Sequence, residues 1–370
     1  MTNISIPTIE ALSAWREIDP SAYRRVYLLL FGIASGRFDA GFNEKLDEAL
    51  IRLTGANSDF MVCRSFAESP SLSSFTDLIA EIHRSIVQYG EMNVLEQGFL
   101  QVLSTAPIRA LLLPDQICRA VSTWKGDSDQ AFVFDDNIDA LPFYLAAEGK
   151  ATVVCTISQS IRSFWHLAGK ATGLPLNGVA FSYEEIDTLL EKLPAEADCY
   201  LMGPFGFEIQ TPGRMGRQDV QAFLLSRILR RMNSRIAVMS QPSLAFVGGR
   251  GLPKLRRILA ESGRLYSVAA FPGNMLEGTG IPMLGLFIGA TSEKSNVTRF
   301  ADFSEASFYS QSNRRRRRIL NEKGLAAIDA LLSMKQTDMP VADVPTDRLL
   351  ADSTVCLAPQ NYLLELTDGE

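Results

Sequence analysis

The sequence predicts a chain in two parts, an all-helical N-terminal domain followed by an α/β domain with a Rossmann-like, doubly wound sheet. Before about residue 110, apolar residues recur at helical spacing in YRRVYLLLFGIA, FNEKLDEALIRL, FTDLIAEIHRSIVQYG and NVLEQGFLQVLS. After it, short β-rich runs alternate with helical ones, which is typical of a parallel sheet covered by helices. These observations predict a helical domain over 1–110, an α/β domain over 111–312, and a basic helix with a C-terminal tail over 313–370 that packs on the α/β domain.

The α/β alternation can be followed segment by segment. The predicted strands are AFVF, ATVVCTIS, NGVAFS, DCYLMG, RIAVMS, RLYSVAAF and MLGLFIGA. The predicted helices between them are ALPFYLAAEG, SIRSFWHLAGKATG, EEIDTLLEKL, DVQAFLLSRILRRM and PKLRRILAES. Strands that alternate with helices in this way predict a parallel sheet whose ligand lies beyond the carboxyl ends of the strands.

Composition and charge argue against several classes of protein. With 370 residues, 46% hydrophobic residues and a net charge of −6, the chain is typical of a globular protein and is not a uniformly basic nucleic-acid binder. The sequence contains no apolar run near the roughly 20 residues of a membrane helix, so we expect a cytoplasmic protein without membrane contact. Its five cysteines are scattered and never form CxxC, so we expect buried thiols and no metal site.

The turn after the first strand carries acids where a phosphate-binding turn carries glycine. Asp135, Asp136 and Asp139 follow AFVF without an intervening glycine. Such a turn keeps the backbone away from a cofactor and repels an anion, so it predicts no nucleotide phosphate site. The simplest interpretation is a solvated loop in which Asp139 caps the next helix.

A family resemblance emerges from the order of five segments. They follow one another over 111–364 and are LLPDQICRAV, VFDDNIDALPFYLAA, DCYLMGPFGF, the stretch from RIAVMS through TGIPMLGLFIGA, and ADSTVCLAPQNYLL. In order and spacing they resemble the modification subunits of type I restriction systems and related adenine-N6 DNA methyltransferases. The resemblance implies a Rossmann-like methyltransferase fold that uses S-adenosylmethionine.

The positions that match the family's cofactor motif are degenerate. The resemblance implies Asp135, Asp136, Asp139 and Thr156 as vestigial cofactor positions. Asp135 matches the family's acid at the end of the first strand, whereas the two glycine positions carry Asp139 and Leu141. After the second strand the family has an acid, and this sequence has Cys155, Thr156 or Ser158.

The catalytic motif has also lost its polar residue. Where the family reads NPPF, this chain reads Met202, Gly203, Pro204 and Phe205. The Phe205 ring matches the aromatic residue that stacks on a flipped base, but Met202 offers no useful hydrogen bond to an adenine amine. The absence of one such hydrogen bond typically costs about 3–4 kcal/mol of transition-state stabilisation. The alternative interpretation is a strand-to-loop turn with a buried ring.

A run of five arginines is the strongest charge feature. It comprises Arg314, Arg315, Arg316, Arg317 and Arg318. A solvated helix start is the usual meaning of such a run, and contact with the DNA backbone is the functional alternative. Further basic residues extend the patch if the fold brings them together, namely Arg227, Arg230, Arg231, Arg235, Lys254, Arg256 and Arg257.

Three functional hypotheses follow. The first is a catalytically inactive methyltransferase-fold protein that binds no cofactor and acts as a DNA- or partner-binding subunit in restriction or anti-phage defence. Its partners would be double-stranded DNA and a specificity or defence-complex protein. The second is an active, diverged adenine methyltransferase that uses S-adenosylmethionine. The third is a protein-interaction scaffold without nucleic-acid binding.

Overall fold

A computed structural model describes most of the chain. The described residues are 12, 18, 22–39, 41–55, 63, 67–104, 112–203, 208–210, 217–249, 251–276, 279–311, 318–336 and 339–367. The chain divides into two compact units, Met1–Ala110 with Ser158–Ala180, and Leu111–Ile157 with Phe181–Glu370. The first unit therefore takes in a stretch of the α/β sequence as well as residues 1–110.

The regular elements are numbered in chain order. The helices are α1 (Tyr23–Ala34), α2 (Leu46–Thr54), α3 (Thr76–Tyr89), α4 (Glu91–Ser104), α5 (Asp115–Ser122), α6 (Leu141–Ala147), α7 (Gln159–Thr172), α8 (Ile186–Lys192), α9 (Val220–Arg231), α10 (Ser243–Phe246), α11 (Leu252–Glu261), α12 (Glu322–Leu332), α13 (Thr346–Ala351) and α14 (Gln360–Thr367). The strands are β1 (Gln130–Phe134), β2 (Ala151–Thr156), β3 (Leu176–Ala180), β4 (Asp198–Leu201), β5 (Glu208–Gln210), β6 (Arg217–Asp219), β7 (Ile236–Ser240), β8 (Leu265–Phe271), β9 (Met283–Ile288), β10 (Val297–Asp302), β11 (Tyr309–Gln311), β12 (Arg318–Leu320) and β13 (Val341–Pro345).

The first unit is built on α1, whose apolar residues are buried nearly all round. A helix that is apolar on every side needs partners on every side, and α3, α4 and α7 pack against it. The Tyr27 hydroxyl donates a 3.0 Å hydrogen bond to the carbonyl of Val94. On α4, Gly98 allows this close approach, because a Cβ there would lie 2.0 Å from the Tyr27 hydroxyl oxygen.

The second unit is an α/β domain. Eight of its strands lie side by side in one sheet, in the order β13-β10-β8-β9-β7-β4-β1-β2. Strands β2, β1, β4 and β7 run parallel. The predicted α/β fold is confirmed, but the sheet is mixed, since β9 lies antiparallel between β7 and β8 and β13 lies antiparallel to β10. The connection 272–282 is shorter than the roughly dozen residues that a parallel crossover needs, so β9 returns as the second strand of a hairpin.

One face of this sheet packs on helices that the sequence predicts as amphipathic. Leu225 and Ile228 of α9 and Leu259 of α11 are fully buried in the same cluster as Val238 and Leu286 of the sheet. Burying a leucine or isoleucine side chain contributes about 1.5–3 kcal/mol, so the cluster fixes the sheet that positions the site. Among the described helices, none is both long and apolar enough to cross a membrane.

Candidate functional site at the carboxyl ends of the strands

The parallel register brings three of the predicted site positions to one edge of the sheet. Phe134 of β1 pairs with Cys155 of β2 and with Leu201 of β4, so the residues that follow them lie side by side. The amide of Asp135 donates to the Cys155 carbonyl at 3.1 Å, and the amide of Met202 donates to the Phe134 carbonyl at 3.0 Å. Asp135, Thr156 and Met202 therefore end neighbouring strands, as a ligand site of this fold class requires.

Asp135 is a buried acid at the centre of this edge. Its side chain is 2% exposed, and Oδ1 accepts a 2.8 Å hydrogen bond from the Asn137 amide. Burial raises the pKa of the Asp135 carboxyl to about 6, although hydrogen bonds with Asn137 and Asp139 oppose the shift. Gly203 flanks the carboxylate, since a Cβ on Gly203 would lie 3.5 Å from Asp135 Oδ1.

Asp136 ties the turn after β1 to the end of β2. Its Oδ1 accepts from the Thr156 hydroxyl at 2.7 Å and from the Ile157 amide at 2.9 Å. Thr156 is fully buried. The polar groups with which β2 ends, the hydroxyl of Thr156 and the amide of Ile157, are therefore used inside the protein.

Asp139 does not cap the following helix, and the capping interpretation is wrong. The N-cap residue of α6 is Ala140, with no side-chain hydrogen bond at the cap. The Asp139 carboxylate is 1% exposed and accepts a 2.9 Å hydrogen bond from the Leu113 amide. Leu141, the other residue at a family glycine position, is fully buried. The predicted solvated loop is thus packed at both glycine positions.

Met202 is fully buried at the end of β4, with an exposed fraction of 0%. Its thioether therefore contributes to the core. Gly203 is also buried. Pro204 and Phe205 lie outside the described residues, so the predicted stacking role of Phe205 stays a prediction.

Two aromatic residues at this edge were not among the predicted site residues. The amide of Phe181, directly after β3, donates to the Thr156 carbonyl at 2.9 Å, and its ring packs edge-on to Phe134 at 5.8 Å between centroids. The ring of Tyr183 packs edge-on to Phe181, also at 5.8 Å. Burial, with a smaller effect of the Asp136 charge, raises the pKa of Tyr183. The sequence feature that could have identified this pair is FSY at 181–183, because alternate residues of an extended chain lie on one side.

The arginine run is described only at its last residue. Arg314, Arg315, Arg316 and Arg317 lie outside the described ranges. Arg318 lies in strand β12 and not in the expected basic helix, since α12 begins at Glu322 after an Asn321 cap. Its guanidinium lies 5.7 Å from the centre of the Tyr309 ring, and its amide donates to the Asn274 carbonyl at 2.9 Å.

Three of the further arginines that could extend the patch are buried or paired. Arg256 is fully buried and donates to backbone carbonyls, including that of Val355 at 2.9 Å, so it is a structural residue. Arg235 pairs with Glu293 at 2.7 Å. Arg227 pairs with Asp187. Paired or buried guanidinium groups offer less charge to a phosphate backbone.

Both histidine rings contact polar atoms close to them in the fold. His83 Nδ1 lies 2.9 Å from the Ala34 carbonyl, and His166 Nδ1 lies 3.1 Å from Asn177 Oδ1. Both rings thus have local structural partners. Within the described ranges, no cluster of three or more His, Cys, Asp or Glu side chains could hold a metal ion.

Comparison with solved structures identifies the fold. The chain is similar to the methyltransferase subunit of a type I restriction-modification system from Streptococcus thermophilus, with 12% identity, a TM-score of 0.63, and coverage of 96% of this chain and 83% of that one. It is also similar to a chain from a study of complex assembly and conformational transition in a type I restriction-modification system, with 12% identity, a TM-score of 0.66, and coverage of 97% and 91%. A putative class I S-adenosylmethionine-dependent methyltransferase from Listeria monocytogenes matches with 10% identity, a TM-score of 0.51, and coverage of 84% and 98%.

The fold is the one seen in the type I methyltransferase subunit and in the putative S-adenosylmethionine-dependent methyltransferase. The predicted resemblance to type I modification subunits is confirmed at the level of the fold. Searches against protein-family models and against curated proteins returned no match.

Proposed function

We propose that this protein is a methyltransferase-fold relative of the adenine-N6 DNA methylases that has lost methyl transfer. In this proposal it acts as a DNA- or partner-binding subunit of a restriction or anti-phage defence system. The observation that carries the proposal is the complete burial of Met202, where the family has the polar residue that holds the target amine. A buried thioether can neither reach nor hydrogen-bond an amine.

The residues that match the family's cofactor motif, after β1 and β2, support the same proposal. The residues present do not fit S-adenosylmethionine in the manner that the family resemblance implies. The β2 end offers no acid for a ribose, and its Thr156 hydroxyl and Ile157 amide are bound to Asp136. Asp139 and Leu141 fill the glycine positions with buried side chains, which leaves less room for close approach of a ligand to the backbone.

The DNA-binding part of the proposal rests on the arginine run and on the fold. Five consecutive guanidinium groups can each neutralise a phosphate, and the affinity of such contacts falls steeply with salt. One of the similar structures comes from a study of complex assembly in a type I restriction-modification system. That similarity supports a protein partner for this chain as well.

Calorimetry and a methylation assay on one sample test the loss of catalysis. We expect no binding of S-adenosylmethionine at micromolar concentration and no methyl transfer to adenine-containing duplex DNA. Binding together with transfer would show that the protein is an active, diverged methyltransferase.

A salt titration tests DNA binding separately. We expect affinity for duplex DNA to fall with salt, and replacement of Arg314–Arg318 by alanine to flatten that dependence by about 0.9 in log–log slope for each phosphate that is no longer neutralised. The matched control replaces Arg227, Arg230 and Arg231 on α9. Affinity that is absent, or that is independent of salt and of the run, would favour the protein-interaction scaffold.

A further inference from the structure

Two of the acids that follow β1 contact each other inside the protein. Asp135 and Asp139 are 2% and 1% exposed, and their carboxyl groups hydrogen-bond to each other. Asp135 Oδ1 also accepts from the Asn137 amide, and Asp139 Oδ1 accepts from the Leu113 amide. Each carboxyl group therefore has one oxygen on a backbone amide, and the two groups meet through their remaining hydrogen-bonding capacity.

A hydrogen bond between two carboxyl groups requires a proton. An ionised carboxylate only accepts hydrogen bonds, so one member of the pair must be protonated to donate to the other. Among the residues that the structure describes, no nitrogen or hydroxyl group donates to the buried Oδ2 of Asp135. Two carboxylates in contact and shielded from water are unfavourable when both are charged. The arrangement in the structure therefore holds one shared proton.

The charges around the pair favour that proton. From the same turn, the charge of Asp136 adds to the effect of burial, which raises the pKa of the Asp135 carboxyl to about 6. From α5, the Cys118 thiol lies near Asp139, and its pKa is raised by burial and by the charges of Asp139 and Asp115. A proton shared by the pair reduces the negative charge in this region.

The other elements beside the pair add no further charge at its carboxyl groups. On α6 the Tyr144 hydroxyl donates to Asp115 and accepts a 3.4 Å hydrogen bond from Arg119 of α5. The neighbours on β2 and β4 are uncharged, namely Cys155, whose carbonyl accepts from the Asp135 amide, and Gly203.

The pair joins the turn after β1 to the segment that leads into α5. Leu113 precedes Pro114, the N-cap residue of α5, and its amide is bound to Asp139. The residues between the two acids, 136–138, are only half-buried. The turn can therefore move while the strands below it stay packed.

We propose that Asp135 and Asp139 form a pH-operated latch, closed while they share a proton and released when that proton is lost. Loss of the proton puts two negative charges in contact, and the turn relieves the repulsion by moving one carboxylate into water. The pKa of Asp135 lies above its ordinary value of 3.8, so the latch stabilises the turn fully below about pH 4 and loses this effect as pH rises to about 6. The latch requires neither methyl transfer nor DNA binding.

Hydrogen exchange of the full chain, measured at single amides and corrected for the intrinsic rate at each pH, tests the latch. Between pH 4 and pH 6 the closed latch holds one proton more than the open one. Protection of the Leu113 and Asn137 amides should therefore fall about tenfold per pH unit in that range and level off above it. The Cys199 amide, which donates to the Arg235 carbonyl, should keep its protection as an internal control. Protection of Leu113 and Asn137 that does not change with pH overturns the proposal.

Asparagine substitutions imitate the shared proton. In Asp139→Asn the side-chain amide donates to the Asp135 carboxylate, and in Asp135→Asn it donates to Asp139. Each single variant should stay closed at pH 7, with protection of the Leu113 amide changing less than about threefold between pH 4 and pH 7. The control is Asp329→Asn, whose side chain is 63% exposed and which should keep the pH dependence of the wild type. Single variants that keep that dependence overturn the proposal.

The double substitution Asp135→Asn with Asp139→Asn separates a latch from two independent buried acids. With both Oδ1 atoms bound to backbone amides, the two NH₂ groups point at each other, and one hydrogen bond is lost. Protection of the Leu113 amide should then be about fivefold or more below that of either single variant. Independent acids predict the reverse, because each substitution removes a buried charge. A double variant protected as well as the single variants, and shown by thermal unfolding to be folded, overturns the proposal.

Discussion

The hydroxyl of Thr156 donates a 2.7 Å hydrogen bond to Oδ1 of Asp136 and thereby joins the end of β2 to the turn after β1. The same oxygen accepts from the Ile157 amide at 2.9 Å. Both donors lie at the strand end where the resemblance implies an acid for the cofactor ribose. These internal hydrogen bonds stabilise the protein and engage both polar groups of that strand end.

Thr156→Val tests the stabilising part of that relationship. The substitution keeps the shape of the side chain but removes one hydrogen bond to Asp136 Oδ1. We therefore expect a loss of about 1–2 kcal/mol in the free energy of unfolding. Urea denaturation measures it. Thr123→Val is the control, because the Thr123 hydroxyl bonds to a backbone carbonyl at an exposed position, and it should change stability by less than about 0.5 kcal/mol. Equal effects at both positions would contradict the assignment.

The buried carboxyl of Asp135 predicts a pH dependence of stability. Its pKa is about 6 in the folded chain, above the ordinary value of 3.8, mainly because of burial. Between these values the folded state binds more protons than the unfolded state, so this group's contribution to stability falls as pH rises. Asp135→Asn removes the ionisation and should gain stability relative to the wild type between pH 4 and pH 7, by up to about 3 kcal/mol.

Asp352 supplies a control of opposite sign. Hydrogen bonds from the amide and hydroxyl of Thr354 lower the pKa of its carboxyl. A lowered pKa contributes stability above the unfolded pKa, and this contribution is lost as pH falls. Asp352→Asn should therefore be most destabilising at neutral pH and least so in acid. Urea midpoints over pH 3–7 measure both variants, and parallel profiles for the two would contradict the assigned environments.

The buried position of Met202 predicts that repairing the motif will not restore methylation. Met202→Asn places an amide in a fully buried site, and an amide buried without partners costs about 1–3 kcal/mol. We expect the variant to be destabilised by that amount and to transfer no methyl groups to adenine-containing DNA. Met202→Leu is the matched control and should cost less than about 1.5 kcal/mol. Methyl transfer by the asparagine variant would show that the position faces a substrate.

The sequence predicted the sheet better than it predicted the site. Buried parallel strands such as β4 and β7 form nearly continuous apolar runs, so the sequence pattern predicts them. Strand β13 was not predicted, because an edge strand of alternating burial such as VADVP carries a weak apolar signal. The identity of the acids after β1 was visible, whereas their burial was not, since carboxylates are mostly exposed. Their partners, Thr156 and Leu113, are distant in sequence and meet them only in the folded chain.

A buried ion pair at the amino ends of the strands gives the last prediction. Asp198 at the start of β4 is fully buried and accepts from Lys150 Nζ at 2.7 Å and from the Ser234 hydroxyl at 2.5 Å. The Gly126 amide adds a hydrogen bond to the same carboxylate at 2.9 Å. Lys150→Met removes the charge that balances a buried carboxylate, and such a change costs about 3–5 kcal/mol.

The control for this prediction is Lys125→Met, which breaks an ion pair with Glu148 whose side chains are 41% and 36% exposed. Exposed pairs contribute about 0–1 kcal/mol, so the control should be nearly neutral. The double substitution Lys150→Met with Asp198→Asn removes both charges and should recover part of the stability, because no unpaired charge then remains in the core. Denaturant unfolding measures all three, and a double variant less stable than Lys150→Met alone would mean that Asp198 acts mainly through the Gly126 and Ser234 hydrogen bonds.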